Sequence, residues 1–190
     1  MTDPSGLERG RGGDAQVPSG KVPDLPGEAP SRADVDAVEA SLGRPPAGRF
    51  TVVVRDEGGA PAVIANDAFL ADGTPMPTRF WLVDPVLHDA VSRLESTGGV
   101  RQAERAVDPA LLADAHARYA DERDRSIPPD RPGPRPSGGV GGTRQGVKCL
   151  HAHLAWWLVG GDDPVGAWTA ARLGITPGAS ASEHGANAGR

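Results

Sequence analysis

Three of the four Asp-Pro pairs in this chain, at residues 84–85, 108–109 and 163–164, constrain its fold more than any other feature. Aspartate is a favoured N-cap residue and proline is favoured at the first helical position, so each pair predicts the beginning of a helix. Apolar residues follow the first two pairs at helical spacing, which predicts helices over residues 85–97 and 109–124. The third pair predicts a short helix that ends near Leu173.

The region before Asp84 combines one more helix with short strands. Ser31 is a good N-cap residue with Asp34 in the first turn, which predicts a helix that ends at Gly43. Short β-branched runs at 50–55, 62–65 and 78–83 predict strands, with a hairpin turn over 56–59. Strands therefore precede most of the helices. The predicted fold class is α+β, a small antiparallel sheet of about three strands covered by four to five helices.

Proline and glycine set the predicted domain boundaries. The chain has 190 residues, of which 26 are glycine and 19 are proline, and both types are frequent in residues 1–30 and in the segment 126–142. Residues 1–30 and 174–190 lack an apolar periodicity that could offset the entropy of ordering, which predicts disordered N- and C-terminal tails. We therefore predict a single domain over residues 31–173, with a flexible loop over 126–142.

Charge and cysteine content exclude several classes of partner. The net charge of -5 is spread along the chain without a basic block, so neither nucleic acid nor a membrane surface is expected as a partner. The single cysteine, Cys149, excludes an internal disulfide. No apolar run approaches the length of about 18 residues that a membrane span needs, and the N-terminus shows no basic-then-apolar leader. These features predict a cytoplasmic protein.

A glycine-rich turn at 141–146 runs into an apolar stretch that contains lysine, cysteine and two histidines, which predicts a helix from residue 147 to about 159. The N–H groups and dipole of a helix N-terminus suit an anion, and Arg144 and Lys148 would add positive charge. Lys21 and Lys148 are the two lysines among 20 basic residues, so Lys148 stands out within the predicted domain. A lysine in a first helical turn indicates a negative ligand or a nearby carboxylate such as Asp72. The alternative is a purely structural turn.

The same stretch offers candidates for metal binding and catalysis. Cys149 and His153, four residues apart, would share one helix face as a pair of metal ligands, whereas His151 would point nearly the opposite way. Because His88, His116 or an acid would have to complete the set, no metal site is predicted. His151 is either a core histidine or an acid, base or anion donor. Cys149 is either a packing residue or a nucleophile.

Five short blocks of the chain are similar to one known family. They are Leu42-Gly43-Arg44-Pro45-Pro46, Asp72-Gly73-Thr74-Pro75-Met76-Pro77-Thr78, Arg93-Leu94-Glu95, Val147-Lys148-Cys149-Leu150-His151-Ala152 and Asp163-Pro164-Val165-Gly166. In this order, over about residues 33–173, the chain resembles the DUF501 family of actinobacterial proteins. The resemblance implies no defined biochemical function. Genes of this family often lie near those of a septum-formation initiator and an exopolyphosphatase-like phosphatase. The resemblance thus implies at most a loose association with cell division or phosphate metabolism.

The resemblance includes Lys148, Cys149 and His151, which implies an anion or small-molecule pocket rather than an essential metal. We therefore expect a binding or accessory protein whose pocket lies between the loop 72–79 and the predicted helix start at 147. Its ligand would be an anionic small molecule, and the sequence identifies no cofactor. The residues expected to contact the ligand are Asp72, Thr74, Arg79, Thr143, Arg144, Lys148 and His151.

Two alternatives remain at this point. The first is an enzyme that acts on a phosphorylated or carboxylated small molecule through His151 or Cys149. The second is a protein-interaction module linked to cell division, which an exposed apolar patch would favour.

Overall fold

The computed structural model describes residues 25–176, and this part of the chain forms three strands and six α-helices. In chain order they are α1 (Arg32–Leu42), β1 (Phe50–Arg55), β2 (Pro61–Asn66), β3 (Phe80–Leu82), α2 (Pro85–Ser96), α3 (Gly99–Ala106), α4 (Pro109–Asp124), α5 (Leu150–Leu158) and α6 (Pro164–Leu173). The predicted α+β class is confirmed, with six helices where four to five were expected. Residues 1–24 and 177–190, which make up most of the predicted disordered tails, lie outside the described residues.

The strands form one antiparallel sheet in the order β1-β2-β3, with the fully buried β2 at its centre. Successive side chains of a strand point to opposite faces of the sheet. Ile64 accordingly packs with Val38 of α1 on one face, whereas Val63 and Ala65 pack on the other face with apolar side chains of α2 to α6. The sheet is therefore covered by α1 on one side and by the other five helices on the opposite side.

The three Asp-Pro pairs begin helices as predicted. In each pair the aspartate side chain accepts a hydrogen bond from a backbone N–H group of the first turn, and the proline follows at the first helical position. Ser31 and Asp34 form a capping box at α1. Local capping chemistry therefore fixes the beginnings of α1, α2, α4 and α6 without help from distant residues.

The sequence did not predict α3, because Gly98-Gly99 indicates the end of a helix rather than a joint between two. Gly98 adopts a left-handed φ of 85°, and α3 begins at the next residue. A Cβ atom on Gly99 would lie 2.6 Å from the carbonyl oxygen of Leu94. Glycine therefore lets α3 begin directly against the last turn of α2.

The helix after the glycine turn begins at Leu150, so the predicted start at residue 147 is wrong. Gly141, Gly142 and Gly146 have φ values of 66°, 75° and 64°, a left-handed conformation that interrupts any helical path. Lys148 precedes the helix and is exposed, so the dipole argument that singled it out does not apply. The helix ends at Leu158, which confirms the end predicted near residue 159.

Two segments make contacts that the sequence did not indicate. Glu28 forms a two-hydrogen-bond bridge with Val52 of β1, so the ordered domain begins before the predicted boundary at residue 31. The loop 126–142, predicted to be flexible, is tied to α4 by the buried Arg123, which donates hydrogen bonds to the carbonyl oxygens of Pro136 and Gly138 at 3.3 and 2.7 Å. Within residues 25–176, no helix is both long and apolar enough to cross a membrane.

Candidate functional site

A carboxylate, a thiol and an imidazole meet at the beginning of α5. Glu95 comes from the last turn of α2, Cys149 is the N-cap residue of α5 and His151 lies in its first turn. One donor atom from each of the three lies within 4.8 Å of the other two. Oε1 of Glu95 is 3.3 Å from Nδ1 of His151 and also accepts a hydrogen bond from the N–H of Leu150. We call Glu95, Cys149 and His151 the Glu-Cys-His cluster.

The orientation of Cys149 differs from that of a helical residue. With φ at -155° and ψ at 143°, Cys149 is extended, so its side chain does not follow the helical rotation. It lies with His151 and Glu95, whereas His153 is buried next to Asp163. The prediction that Cys149 shares a helix face with His153, and that His151 points away from Cys149, is therefore wrong. The start of the helix, three residues later than predicted, is the reason.

Backbone contacts orient the ring of His151. Its Nε2 atom is 3.2 Å from the carbonyl oxygen of His88 and 3.3 Å from Oγ of Ser92. Each ring nitrogen of His151 faces an acceptor, Nε2 the His88 carbonyl and Nδ1 the Glu95 carboxylate, so the protonated ring can donate to both. The ring of His88 lies beside that of His151, with centroids 4.4 Å apart.

Burial and the groups of the cluster shift the pKa of His151 in opposite directions. Burial lowers the pKa of His151, but the hydrogen bond with Cys149, the negative charge of Glu95 and the bond with the His88 carbonyl together outweigh it. The pKa of His151 is therefore raised above its usual value. The side chains of His151 and Glu95 are 19% and 25% exposed, so solutes can reach the cluster.

Two of the backbone N–H groups near the beginning of α5, where the sequence predicted an anion, donate to carboxylates of the chain itself. Glu95 accepts from Leu150, and Oε1 of Glu104 accepts from the N–H of Val147 at 2.8 Å. Glu104 lies on α3, the helix that was not predicted. Sequence reasoning therefore missed both acidic residues, although Glu95 belongs to one of the blocks that carry the family resemblance.

The residues expected to form a pocket with the loop 72–79 are distributed over several contacts. Asp72 is exposed and caps its own turn by accepting from the N–H of Thr74. Arg79 is buried, and its guanidinium donates to Oγ of Ser126 and to the backbone of α4. Arg144 and Lys148 are exposed on the surface of the glycine turn. The side chain of Arg79 is thus committed to the interior.

The loop and the glycine turn do touch, at a point with little polar chemistry. A Cβ atom on Gly142 would lie 3.1 Å from the side chain of Pro77, so the turn packs closely on the end of the loop. Thr143 donates from Oγ1 to the carbonyl oxygen of Gln145 at 2.7 Å, which stabilises the turn from within. The two segments therefore meet by packing, and the ligand pocket predicted between them stays a prediction.

A second histidine site lies in the core. Nδ1 of His153 is 2.7 Å from Oδ2 of Asp163, with side chains 1% and 0% exposed. His116 links α4 to the glycine turn, because its Nδ1 accepts from the N–H of Val140 at 3.1 Å and its Nε2 donates to the carbonyl oxygen of Gly146 at 3.0 Å. Burial lowers the pKa of His116 below its usual value. Nε2 of His153 has no hydrogen-bond partner among residues 25–176.

Comparison with known proteins gives one match. A family model described as a protein of unknown function (DUF501) matches residues 52–171, a range that contains the Glu-Cys-His cluster and the buried histidines. Searches of curated proteins and of solved structures found no match. Since the family model spans more than half of the chain, this protein belongs to the DUF501 family.

Proposed function

We propose that this protein is a metal-binding accessory protein in which Glu95, Cys149 and His151 hold a divalent transition metal ion, with Zn²⁺ as the preferred ion. The observation that carries the proposal is the convergence of one carboxylate, one thiol and one imidazole within 4.8 Å. These three donor types are those that bind zinc in proteins, and the thiolate and imidazole disfavour Mg²⁺ and Ca²⁺.

The geometry of the cluster supports this proposal. Two ligands that each lie about 2.0–2.1 Å from a tetrahedral zinc ion are roughly 3.3 Å apart. The separation of Glu95 Oε1 and His151 Nδ1 is 3.3 Å. The contact between Nε2 of His151 and the His88 carbonyl resembles the outer contact that orients most metal-binding histidines.

Charge supports a cation rather than an anion at this site. The carboxylate of Glu95 already faces the beginning of α5, and metal binding would add the negative charge of a Cys149 thiolate. A divalent cation would neutralise these two charges, whereas an anion would be repelled by them. Three protein ligands on a partly exposed surface would leave a fourth position for water or a small ligand, which is the arrangement of reactive rather than purely structural zinc sites.

Titration of the metal-free protein with Zn²⁺ and Co²⁺ tests the proposal. We expect one equivalent of Zn²⁺ to bind with a dissociation constant of about 1 µM or lower in competition with a chromophoric chelator. Co²⁺ should produce a thiolate charge-transfer band in the near ultraviolet. Cys149→Ala should abolish that band and lower the affinity more than about 100-fold, since even loss of an outer contact costs about 10–100-fold.

The matched control for Glu95 is Asp89, an exposed acid on the same helix that pairs with Arg93 at 3.8 Å. Glu95→Gln should weaken zinc binding strongly, whereas Asp89→Asn should not change it. Equal affinity in wild type and Cys149→Ala would refute the proposed site.

A thiol-based enzyme is the second candidate, because Cys149 lies at the N-cap of a helix with a ring nitrogen of His151 within 4.8 Å of its thiol. In general, an imidazole base and a helix N-terminus both activate a thiol. This candidate predicts that metal-free protein reacts rapidly with iodoacetamide and that His151→Ala slows the reaction about tenfold or more. Slow alkylation in both proteins, together with zinc binding, would favour the metal site.

A further inference from the structure

An open cavity of about 1030 Å³ lies at the end of α5 opposite to the Glu-Cys-His cluster. Its walls come from β1, the first turn of α2 and the last turn of α5. The buried side chains of Ala62 and Phe80 lie at its base. The partly buried apolar residues that line it, and that also pack on the main core, include Val53, Val54, Leu87, Trp157 and Leu158. We call this cavity the α5 groove.

The rim of the α5 groove is acidic. The charged residues that line it are Asp56, Glu57, Asp84, Glu122 and Arg55. Arg55 is already paired with Asp34 at 2.7 Å and with Glu28 at 3.2 Å, so its positive charge is compensated within the chain. Glu57 is exposed in the turn between β1 and β2. Asp84 is buried as the cap of α2, and Glu122 lies 3.9 Å from the guanidinium of Arg79. Asp56 and Glu57 are therefore the rim acids that an approaching molecule meets around the apolar base.

An exposed apolar side chain stands at the edge of the same groove. Val86, in the first turn of α2, is 75% exposed and lines the α5 groove. Leu111 on α4 is the other large apolar residue exposed to a similar degree in the described part of the chain, at 55%, and it does not line this groove. Val86 therefore extends the apolar surface of the groove into solvent.

We propose that the α5 groove docks an extended segment of a partner protein that carries both aliphatic and basic side chains. The apolar base would bury the aliphatic side chains, and Glu57 with the other rim acids would pair with lysine or arginine. The negative rim repels the phosphates of nucleic acids and anionic lipids, which favours a protein segment over those partners. The groove shares no residue with the Glu-Cys-His cluster, so this proposal is independent of metal binding.

Fluorescence anisotropy of the full chain with labelled short peptides tests the proposal. The probe is a peptide of alternating leucine and lysine, compared with an alanine-lysine and a leucine-glutamate peptide of equal length. We expect micromolar binding of the leucine-lysine peptide and at least about tenfold weaker binding of the other two, because one lacks apolar burial and the other has the wrong charge. Backbone NMR shifts should change most around Val54 and Leu158.

Surface variants separate groove binding from non-specific attraction to an acidic protein. Val86→Ser should weaken the leucine-lysine peptide about tenfold, whereas the matched variant Leu111→Ser should leave its affinity unchanged. Glu57→Lys should weaken the leucine-lysine peptide and strengthen the leucine-glutamate peptide. Equal binding of all three peptides, or no effect of Val86→Ser, would overturn the proposal. So would a dimer, measured by light scattering, that Val86→Ser converts to a monomer, because the occupant would then be a second copy of the chain.

Discussion

His151 and His153 lie two residues apart on α5, yet they occupy opposite environments. Two residues rotate an α-helix by about 200°, so the two rings face opposite sides. His151 pairs with Glu95 of α2 and is 19% exposed, whereas His153 pairs with Asp163 at the beginning of α6 and is 1% exposed. The same chemical pair thus occurs once at the surface and once in the core.

The carboxylates of the two pairs also have similar structural roles. Asp163 accepts from the first turn of α6 through Oδ1 and contacts His153 through Oδ2. Glu95 accepts from the first residue of α5 and contacts His151 with the same oxygen. What differs is burial and the third group, since Cys149 joins only the exposed pair. The buried pair is closed to solvent, whereas the pair of the Glu-Cys-His cluster is partly exposed.

The largest expected effect on this comparison is the loss of stability in Asp163→Ala. This substitution leaves a buried histidine without its partner and removes the cap of α6, so we expect the free energy of unfolding to fall by about 3–5 kcal/mol. Chemical denaturation measures this change. Asp162→Ala, in which the neighbouring residue is 89% exposed, is the control and should change stability little. Similar losses in the two variants would mean that burial does not distinguish the pairs.

His151→Ala should change folding stability little and zinc affinity strongly. We expect a loss of no more than about 1 kcal/mol of folding stability, because the pair is partly exposed and solvent screens it. Zinc affinity should fall more than about 100-fold in the same variant, as estimated for the other ligands. Denaturation and zinc titration of one preparation give both values. A stability loss as large as that of Asp163→Ala would assign His151 to the fold.

The pH dependence of the histidines gives a smaller but more specific effect. In metal-free protein we expect the pKa of His151 to lie above, and that of His116 below, the ordinary value of about 6.5. His151 then stabilises the fold below pH 6.5, and this contribution is lost as pH rises through its raised pKa. The contribution of His116 is present above pH 6.5 and is lost as pH falls through its lowered pKa.

NMR titration of the ring protons measures both values, with His151→Ala used to assign the signals. If His151 titrated at lower pH than His116, the combined effect of Cys149, Glu95 and the His88 carbonyl would not exceed the effect of burial on His151.

The smallest expected effect is that of His88→Ala. The contact from this residue to Nε2 of His151 comes from its backbone carbonyl, which the substitution retains. We expect zinc affinity to change less than about threefold, well below the loss expected for a ligand. The chelator competition assay measures this change. A loss as large as that of Glu95→Gln would show that the exposed ring of His88 binds the metal itself.

Local chemistry made much of this fold predictable from the sequence. The aspartate caps of α2, α4 and α6 and the capping box of α1 lie within the first turn of each helix, so their signals are contiguous in the chain. The strands were likewise indicated by short β-branched runs. These elements form largely because of nearby residues, which a pattern can detect.

The site was less predictable because its parts come from distant positions. Cys149 makes no side-chain cap, and the acceptor for the first N–H of α5 is Glu95, which lies 55 residues before Leu150. No local signal therefore marked the true beginning of α5, and the faces of Cys149 and His151 were misassigned as a result. The acceptor for the N–H of Val147 was also not predicted. It is Glu104, which lies on α3, a helix that was missed because Gly98-Gly99 indicates a helix end.

The hydrogen bonds of Arg123 hold one part of the loop 126–142 and leave another part free to accept an insertion. Its guanidinium binds the carbonyl oxygens of Pro136 and Gly138, just before the glycine turn, whereas Pro132, Gly133 and Pro134 are exposed. Exposed loop positions of this kind accept inserted sequence readily. A fluorescent or affinity tag inserted at 132–134 would therefore leave the hydrogen bonds of Arg123 to Pro136 and Gly138 intact, and residues 132–134 provide a place to attach a reporter.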